Sequence, residues 1–122
     1  MASSSRSYEV VVFGATGFTG KYTCEHIVSN LPTDLKWAVA GRSAEKLQQL
    51  VKELQSAYPD RLAPEVETAS LDKSSLKKLA AKTKVLISTV GPYHLYGEAA
   101  VAACAESGTH YLDVTGESPL GS

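Results

Sequence analysis

The segment GATGFTG, residues 14–20, constrains the fold of this chain more than any other, because it follows the β-prone run EVVVF without a gap. Its three glycines, Gly14, Gly17 and Gly20, fall at equal intervals. Ordering a glycine costs conformational entropy, so three regularly spaced glycines need a reason such as a tight turn or a close approach. The apolar stripe of a helix follows at once, which predicts a strand, a glycine turn and a helix in direct succession.

The rest of the chain repeats this alternation. Strands are expected at 8–13, 37–40, 64–71, 85–90 and 111–114, and helices at 18–29, 44–58, 73–81 and 98–106. Strands separated by such helices predict right-handed crossovers and a parallel sheet. We therefore predict an α/β fold of the doubly wound, Rossmann type, with five strands in the order 3-2-1-4-5. That order places the polar third strand at an edge and the apolar first and fourth strands in the middle.

The composition is that of one ordinary globular domain. The chain has 122 residues and a formal net charge of -1, which gives no bulk argument for binding nucleic acid or an anionic membrane. We interpret residues 1–7 as a disordered leader, 8–117 as the nucleotide-binding domain, and 118–122 as a tail or cloning scar.

The cysteines and histidines indicate neither a metal site nor a disulfide. Cys24 and Cys104 are far apart and follow no metal or redox spacing, so we expect buried thiols in a reducing, cytoplasmic compartment. His26 and His110 lack partners at ligand spacing, and no metal is proposed.

Binding of a dinucleotide would explain the three glycines. In a doubly wound fold the first turn lies at the carboxyl edge of the sheet, where the helix N-terminus attracts a diphosphate. Gly14 would permit the tight turn, Gly17 would let the backbone approach the phosphates, and Gly20 would let the helix pack closely. The spacing G-x-x-G-x-x-G is a variant found in NADP-binding proteins. Further cofactor contacts are expected from the same segment: Thr16, Phe18 and Thr19.

The end of the second strand indicates which dinucleotide binds. An NAD site usually has an acidic residue there for the ribose 2′-hydroxyl, whereas this strand is followed by Arg42 and Ser43, with Lys46 one turn later. A guanidinium suits a 2′-phosphate, and a cation beside a helix N-terminus is unfavourable without an anion. The alternative is a surface arginine near a helix start. The sequence favours NADP over NAD.

Two further loops belong to the same predicted edge. Asp72 follows the third strand, where it could accept a hydrogen bond from the adenine amino group, cap the next helix, or do both. A tight bend follows the fourth strand where the nicotinamide ribose should lie. Contacts with the cofactor are expected there from Val90, Gly91, Pro92 and Tyr93.

The sequence alone does not identify the catalytic residues. Tyr93, His94 and Tyr96 cluster beside the expected nicotinamide, and a Tyr/His acid–base pair is conceivable there. Alternatively, they line the cleft or pack against another domain. Asp113 and Glu117, at the end of the fifth strand, could orient a substrate or hold a loop.

Four segments together resemble the N-terminal half of the saccharopine dehydrogenase-like oxidoreductases, a family that includes trans-acting enoyl reductases. They are VVFGATGFTGKY, WAVAGRS, LISTVGPYHLYGE and YLDVTGE, and the resemblance covers residues 8 to 117. It implies a Rossmann domain that binds NAD(P), a following substrate and dimerisation domain, and in some members an association with lipid.

The resemblance also implies that the chain is an N-terminal fragment, since only five of six expected strands are present. The parent would be an NADP-dependent oxidoreductase that associates with lipid, as some family members do, and the fragment would be inactive alone. The alternative is a non-catalytic NAD(P)-sensing or scaffold module. An uncovered fifth strand would be an open edge, so we expect the fragment to form a homodimer through residues 98–118.

Overall fold

The computed structural model describes residues 7–68, 73–89 and 95–113. Its strands are β1 (Tyr8–Phe13), β2 (Trp37–Gly41), β3 (Glu65–Thr68), β4 (Thr83–Ser88) and β5 (His110–Asp113). Its helices are α1 (Phe18–Asn30), α2 (Ala44–Ala57), α3 (Lys73–Ala81) and α4 (Leu95–Ser107). The predicted tail, and the predicted leader except Ser7, lie outside the described residues.

The strands form one parallel sheet in the order β3-β2-β1-β4-β5, which confirms the predicted topology. Val11 of β1 pairs with Ala38 of β2 on one side and Leu86 of β4 on the other. Strand β3 is an edge with exposed ends, whereas the last three residues of β1 are buried. The distribution of polar strands in the sequence therefore matches the sheet.

Some element bounds differ from the sequence expectation. Strand β4 begins at Thr83, two residues before the apolar run, because Thr83 already pairs with Tyr8. Backbone pairing sets that start, and the exposed Lys84 breaks the apolar pattern by which a strand is recognised. Helix α2 ends at Ala57, and Tyr58 is its C-cap. The proline that follows disfavours a helical conformation for Tyr58.

Both faces of the sheet are covered, as doubly wound topology requires. Val11 and Phe13 pack with Leu76 and Leu79 of α3 on one face. Successive strand residues point to opposite faces, so Val12 belongs to the other cluster. The two helices on that face contribute the rest of the second cluster, namely Cys24, Ile27 and Val28 of α1 and Leu47, Leu50 and Leu54 of α2.

The two cysteines are buried free thiols, as predicted. Burial raises the pKa of the Cys24 thiol to about 12 and that of Cys104 to about 11. Both side chains are therefore protonated near neutral pH and serve as packing groups.

A buried arginine closes the C-terminal end of α1. Arg61 is 8% exposed, and its Nη1 donates hydrogen bonds to the carbonyls of Val28 at 3.1 Å and Leu31 at 3.2 Å. Its Nη2 donates to the Pro32 carbonyl at 2.9 Å. The last turn of α1 has no basic residue of its own. Arg61 thus supplies the cation and the donors that a helix C-terminus lacks.

No helix within the described residues is long and apolar enough to cross a membrane.

Candidate nucleotide-binding site

Gly14 makes the tight turn that the sequence predicts. Its φ is +82°, in the left-handed region that side chains other than glycine rarely adopt. The Gly14 amide donates to the carbonyl of Ala40 at 2.9 Å, and the Gly17 amide closes the turn onto the Gly14 carbonyl at 3.1 Å. The turn therefore begins directly at the end of β1 and is tied to the end of β2.

Gly20 allows α1 to pack against this turn. A Cβ atom on Gly20 would lie 2.1 Å from the carbonyl oxygen of Gly14 and 2.7 Å from two backbone atoms of Ala15. These distances are far below van der Waals contact. The predicted role of Gly20 in close packing is confirmed, and its neighbour is the backbone of the turn that follows β1.

Gly17 is the exposed member of the three. It is the N-cap of α1, and a Cβ atom built on it would meet only the Gly14 carbonyl oxygen, at 3.6 Å. It has no side chain to accept hydrogen bonds from the first-turn amides, and that turn contains no acidic residue. The space over Gly17 and the N-terminus of α1 thus suit an external anion such as a diphosphate.

The N-terminus of the neighbouring helix α2, in contrast, is capped by the protein. Ser43 is the N-cap of α2, because its Oγ accepts a hydrogen bond from the Lys46 amide at 3.3 Å. Glu45 adds a negative charge to the first turn. Of these two neighbouring helices, only α1 lacks a protein group to compensate its N-terminus.

The glycine turn is also fastened from the side of β4. Thr89 Oγ1 donates to the carbonyls of Phe13 at 2.9 Å and Gly14 at 3.1 Å, and its amide donates to Phe13 at 3.1 Å. Sequence reasoning missed this positioning role. The available signal was a threonine directly after an apolar central strand, at the edge where the glycine turn lies.

Cations surround the ribose side of the site. Arg42 follows β2, is exposed, and forms no ion pair or side-chain hydrogen bond within the described residues. Lys46 and Thr16 line a cavity of about 290 Å³ between the glycine turn and α2. The other lining residues are Lys21, Gln49, Leu50 and Glu53. The structure thus brings Lys46 and Thr16 together, as expected for two residues of one site, and adds Lys21.

The structure describes only some of the remaining predicted site residues. Thr19 lies half-buried in the first turn of α1, Phe18 begins that helix, and Tyr96 lies in the first turn of α4. Asp113 is the last residue of β5. Seven predicted residues lie outside the described part of the chain and stay predictions: Asp72, Val90, Gly91, Pro92, Tyr93, His94 and Glu117.

Comparison of the sequence with family models and known proteins identifies the family of this chain. The family model of the saccharopine dehydrogenase NADP binding domain matches residues 10–119. A saccharopine dehydrogenase-like oxidoreductase of Mus musculus is 44% identical over 126 residues, covering 96% of this chain and 29% of the relative. A trans-acting enoyl reductase of Mycobacterium ulcerans (strain Agy99) is 39% identical, covering 96% and 27%. A lipid droplet localized protein of Caenorhabditis elegans is 41% identical, covering 90% and 26%. The chain thus spans less than a third of these relatives.

Solved structures share the fold at low sequence identity. A wide-type short-chain dehydrogenase/reductase from Veillonella parvula DSM 2008, in complex with NADP, has a TM-score of 0.67 and 15% identity. The match covers 93% of this chain and 50% of that one. AtPrR2 with NADP+ and (+)pinoresinol has a TM-score of 0.63 and 18% identity, covering 87% and 36%. Because the family model matches nearly the whole chain, the chain belongs to the saccharopine dehydrogenase NADP binding domain family, and its dinucleotide is NADP.

Proposed function

We propose that this domain holds NADP(H) for hydride transfer to or from a substrate that is bound by further residues of a longer natural protein. The nicotinamide supplies or accepts the hydride when the cofactor is bound. The observation that carries the proposal is the uncapped N-terminus of α1 above the open Gly17 backbone. Support also comes from the relatives named as oxidoreductases and enoyl reductases, which are more than three times as long as the matched region.

The described residues bind and orient the cofactor. The first-turn amides of α1 donate to the diphosphate, and Thr89 holds the turn that presents them. Arg42 follows β2 and Lys46 lines the cavity beside the glycine turn, and we assign both to the 2′-phosphate of the adenosine ribose. The proposal assigns substrate binding to residues beyond this chain, so the isolated domain would bind NADP(H) without turnover.

The Arg42→Ala variant should weaken NADPH binding by about 1.5–3 kcal/mol, the range for a hydrogen bond to a charged group. Binding of NADH should change little, because NADH has a neutral hydroxyl where NADPH has the phosphate. Calorimetric titration of both dinucleotides measures the difference. Lys52→Ala is the control, since Lys52 is exposed on α2 outside the site. Equal losses for both dinucleotides would show that Arg42 acts on the fold or the turn.

Catalysis itself requires the longer protein. Because relatives near 40% identity are named enoyl reductases, an α,β-unsaturated thioester is the first substrate to try with NADPH. Consumption of NADPH, followed by its absorbance, with conversion to the saturated thioester would support the oxidoreductase. Tight NADPH binding by the full-length protein without turnover of any carbonyl or enoyl substrate would favour the sensing or scaffold module instead.

We propose a cytoplasmic location for the protein and a lipid-associated longer form. The two buried free thiols fit a reducing compartment, and one relative is named for lipid droplets. Microscopy of the tagged full-length protein tests both points. Signal in the secretory pathway would contradict the first, and exclusion from lipid droplets would contradict the second.

We propose that the isolated domain forms a two-fold dimer through β5. Within the described residues β5 pairs only with β4, and Leu112 is 52% exposed at this edge, with Val101 of α4 41% exposed. Apolar side chains at the edge of a sheet favour pairing with another chain. Sedimentation at rising concentration should show a dimer, and Leu112→Lys should shift it to monomer. A wild-type monomer at every concentration would contradict the proposal.

A further inference from the structure

The cavity beside the glycine turn contains two lysines in unusual positions. Lys21 is the fourth residue of α1, and Lys46 is the third residue of α2. Lys46 therefore lies in the first turn of α2, and Lys21 directly follows the first turn of α1. Both are close to a helix N-terminus, where the positive end of the dipole disfavours a cation. Yet both line the same cavity of about 290 Å³, together with Thr16 of the glycine turn.

Neither lysine is neutralised by the protein. Within the part of the chain that the structure describes, the Nζ atoms of Lys21 and Lys46 take part in no ion pair or hydrogen bond. Glu53 is the single acid of the lining, and its Oε2 accepts from Gln49 Nε2 at 3.5 Å. Glu25 follows Lys21 by one turn without pairing with it. The cavity thus has an excess of positive charge that an anion would relieve.

The position of the cavity indicates which anionic group of the cofactor it would bind. The diphosphate belongs over Gly17, where the first-turn amides of α1 are free of a side-chain cap. The cavity lies between the glycine turn, the start of α1 and the N-terminal part of α2. Helix α2 begins just after the end of the second strand, which is the side where the adenosine ribose binds in this fold. The group that would reach it from the ribose is the 2′-phosphate of NADP, which NAD lacks.

We propose that Lys21, together with Lys46, binds the 2′-phosphate and is a specificity-determining residue for NADP. This inference rests on nucleotide binding at the glycine turn. Lys21 follows the last glycine directly and belongs to a helix whose dipole already attracts the diphosphate. Its ammonium group therefore extends the positive field from the diphosphate site towards the ribose, and the preference for NADP depends on α1 as well as on the end of β2.

The experiment uses three nucleotides that lack the nicotinamide half. Adenosine 2′,5′-bisphosphate carries the 2′-phosphate, 5′-AMP does not, and adenosine 3′,5′-bisphosphate carries the same charge at the wrong position. Calorimetry should show that the wild type prefers the 2′,5′ isomer. The Lys21→Gln variant should lose about tenfold in affinity for that isomer alone, as expected for one hydrogen bond to a charged group. Lys21→Arg should retain most of the preference.

Lys52→Gln is the matched control, because it removes a charge from the exposed face of α2 outside the cavity and should change nothing. An unchanged preference in Lys21→Gln would overturn the inference while leaving the nucleotide site intact. Equal losses for both bisphosphates would overturn it as well, since they would reveal only general attraction of charge. A wild type that binds none of the three nucleotides would overturn the nucleotide site and this inference with it.

Discussion

The Gly20→Ala variant should fail to fold, or should lose at least about 3 kcal/mol of unfolding free energy, the upper range for overpacking. The new Cβ atom would lie 2.1 Å from the Gly14 carbonyl oxygen and 2.7 Å from the backbone of Ala15. No flexible side chain can move to relieve this overlap, because every neighbour is backbone. Helix α1 would have to lift away from the turn, and its buried residues would lose contact with the sheet.

Urea denaturation followed by far-UV circular dichroism measures this loss. Gly41→Ala is the matched control, since a Cβ atom there would meet only the Leu47 side chain at 3.7 Å, an ordinary contact. Gly41 also ends a central strand beside the site, so the pair compares two buried glycines near the same turn. A midpoint for Gly20→Ala within experimental error of the wild type would contradict the packing described here.

The Gly17→Val variant should have the opposite phenotype: a folded domain that no longer binds NADP. Gly17 has a φ of -76° and is exposed, so valine can adopt its conformation. The cost to stability should be about 1 kcal/mol, from placing an unfavourable residue at an N-cap. The branched side chain would occupy the space of the diphosphate and cover the first-turn amides, so affinity should fall at least about 100-fold, as expected when charge-assisted hydrogen bonds are lost.

Calorimetry with NADPH measures the affinity, and thermal unfolding without nucleotide measures the stability of the same sample. Gly17→Ala should lie between valine and the wild type, because one methyl group intrudes less than a branched side chain. Unchanged NADPH affinity in Gly17→Val would mean that the diphosphate does not lie over Gly17. A large loss of stability in the same variant would mean that this glycine serves the fold.

The structural roles of Gly14 and Gly20 could be predicted because both depend on local spacing within one strand–turn–helix unit. The strand order could be predicted for a similar reason, since alternation and polarity are readable along the chain. Thr89 and Arg61 could not be assigned, because their partners lie about 75 and 30 residues away in sequence. A threonine after a strand or an arginine after a proline-containing turn has no local pattern that indicates which carbonyls it will meet.

Among the charged residues of the site, only those whose positions are fixed by the known topology could be predicted from the sequence. Arg42 follows the second strand, at the position where proteins of this fold contact the adenosine ribose of the dinucleotide. Lys21 was missed because it belongs to a different helix and faces the ribose side only through the packing of α1 beside α2. Thr83 was left out of β4 because a strand is recognised in sequence by its apolar residues, whereas pairing of the backbone decides where it begins.

The glycine turn is held from both sides, by the Ala40 carbonyl at the end of β2 and by Thr89 at the end of β4. The glycine turn is thus fixed in place before any ligand arrives. A nucleotide that binds such a turn loses little affinity to ordering of the turn. Its association rate should be governed by diffusion and by the attraction of its phosphates to the local cations, without a slow ordering of the glycine turn.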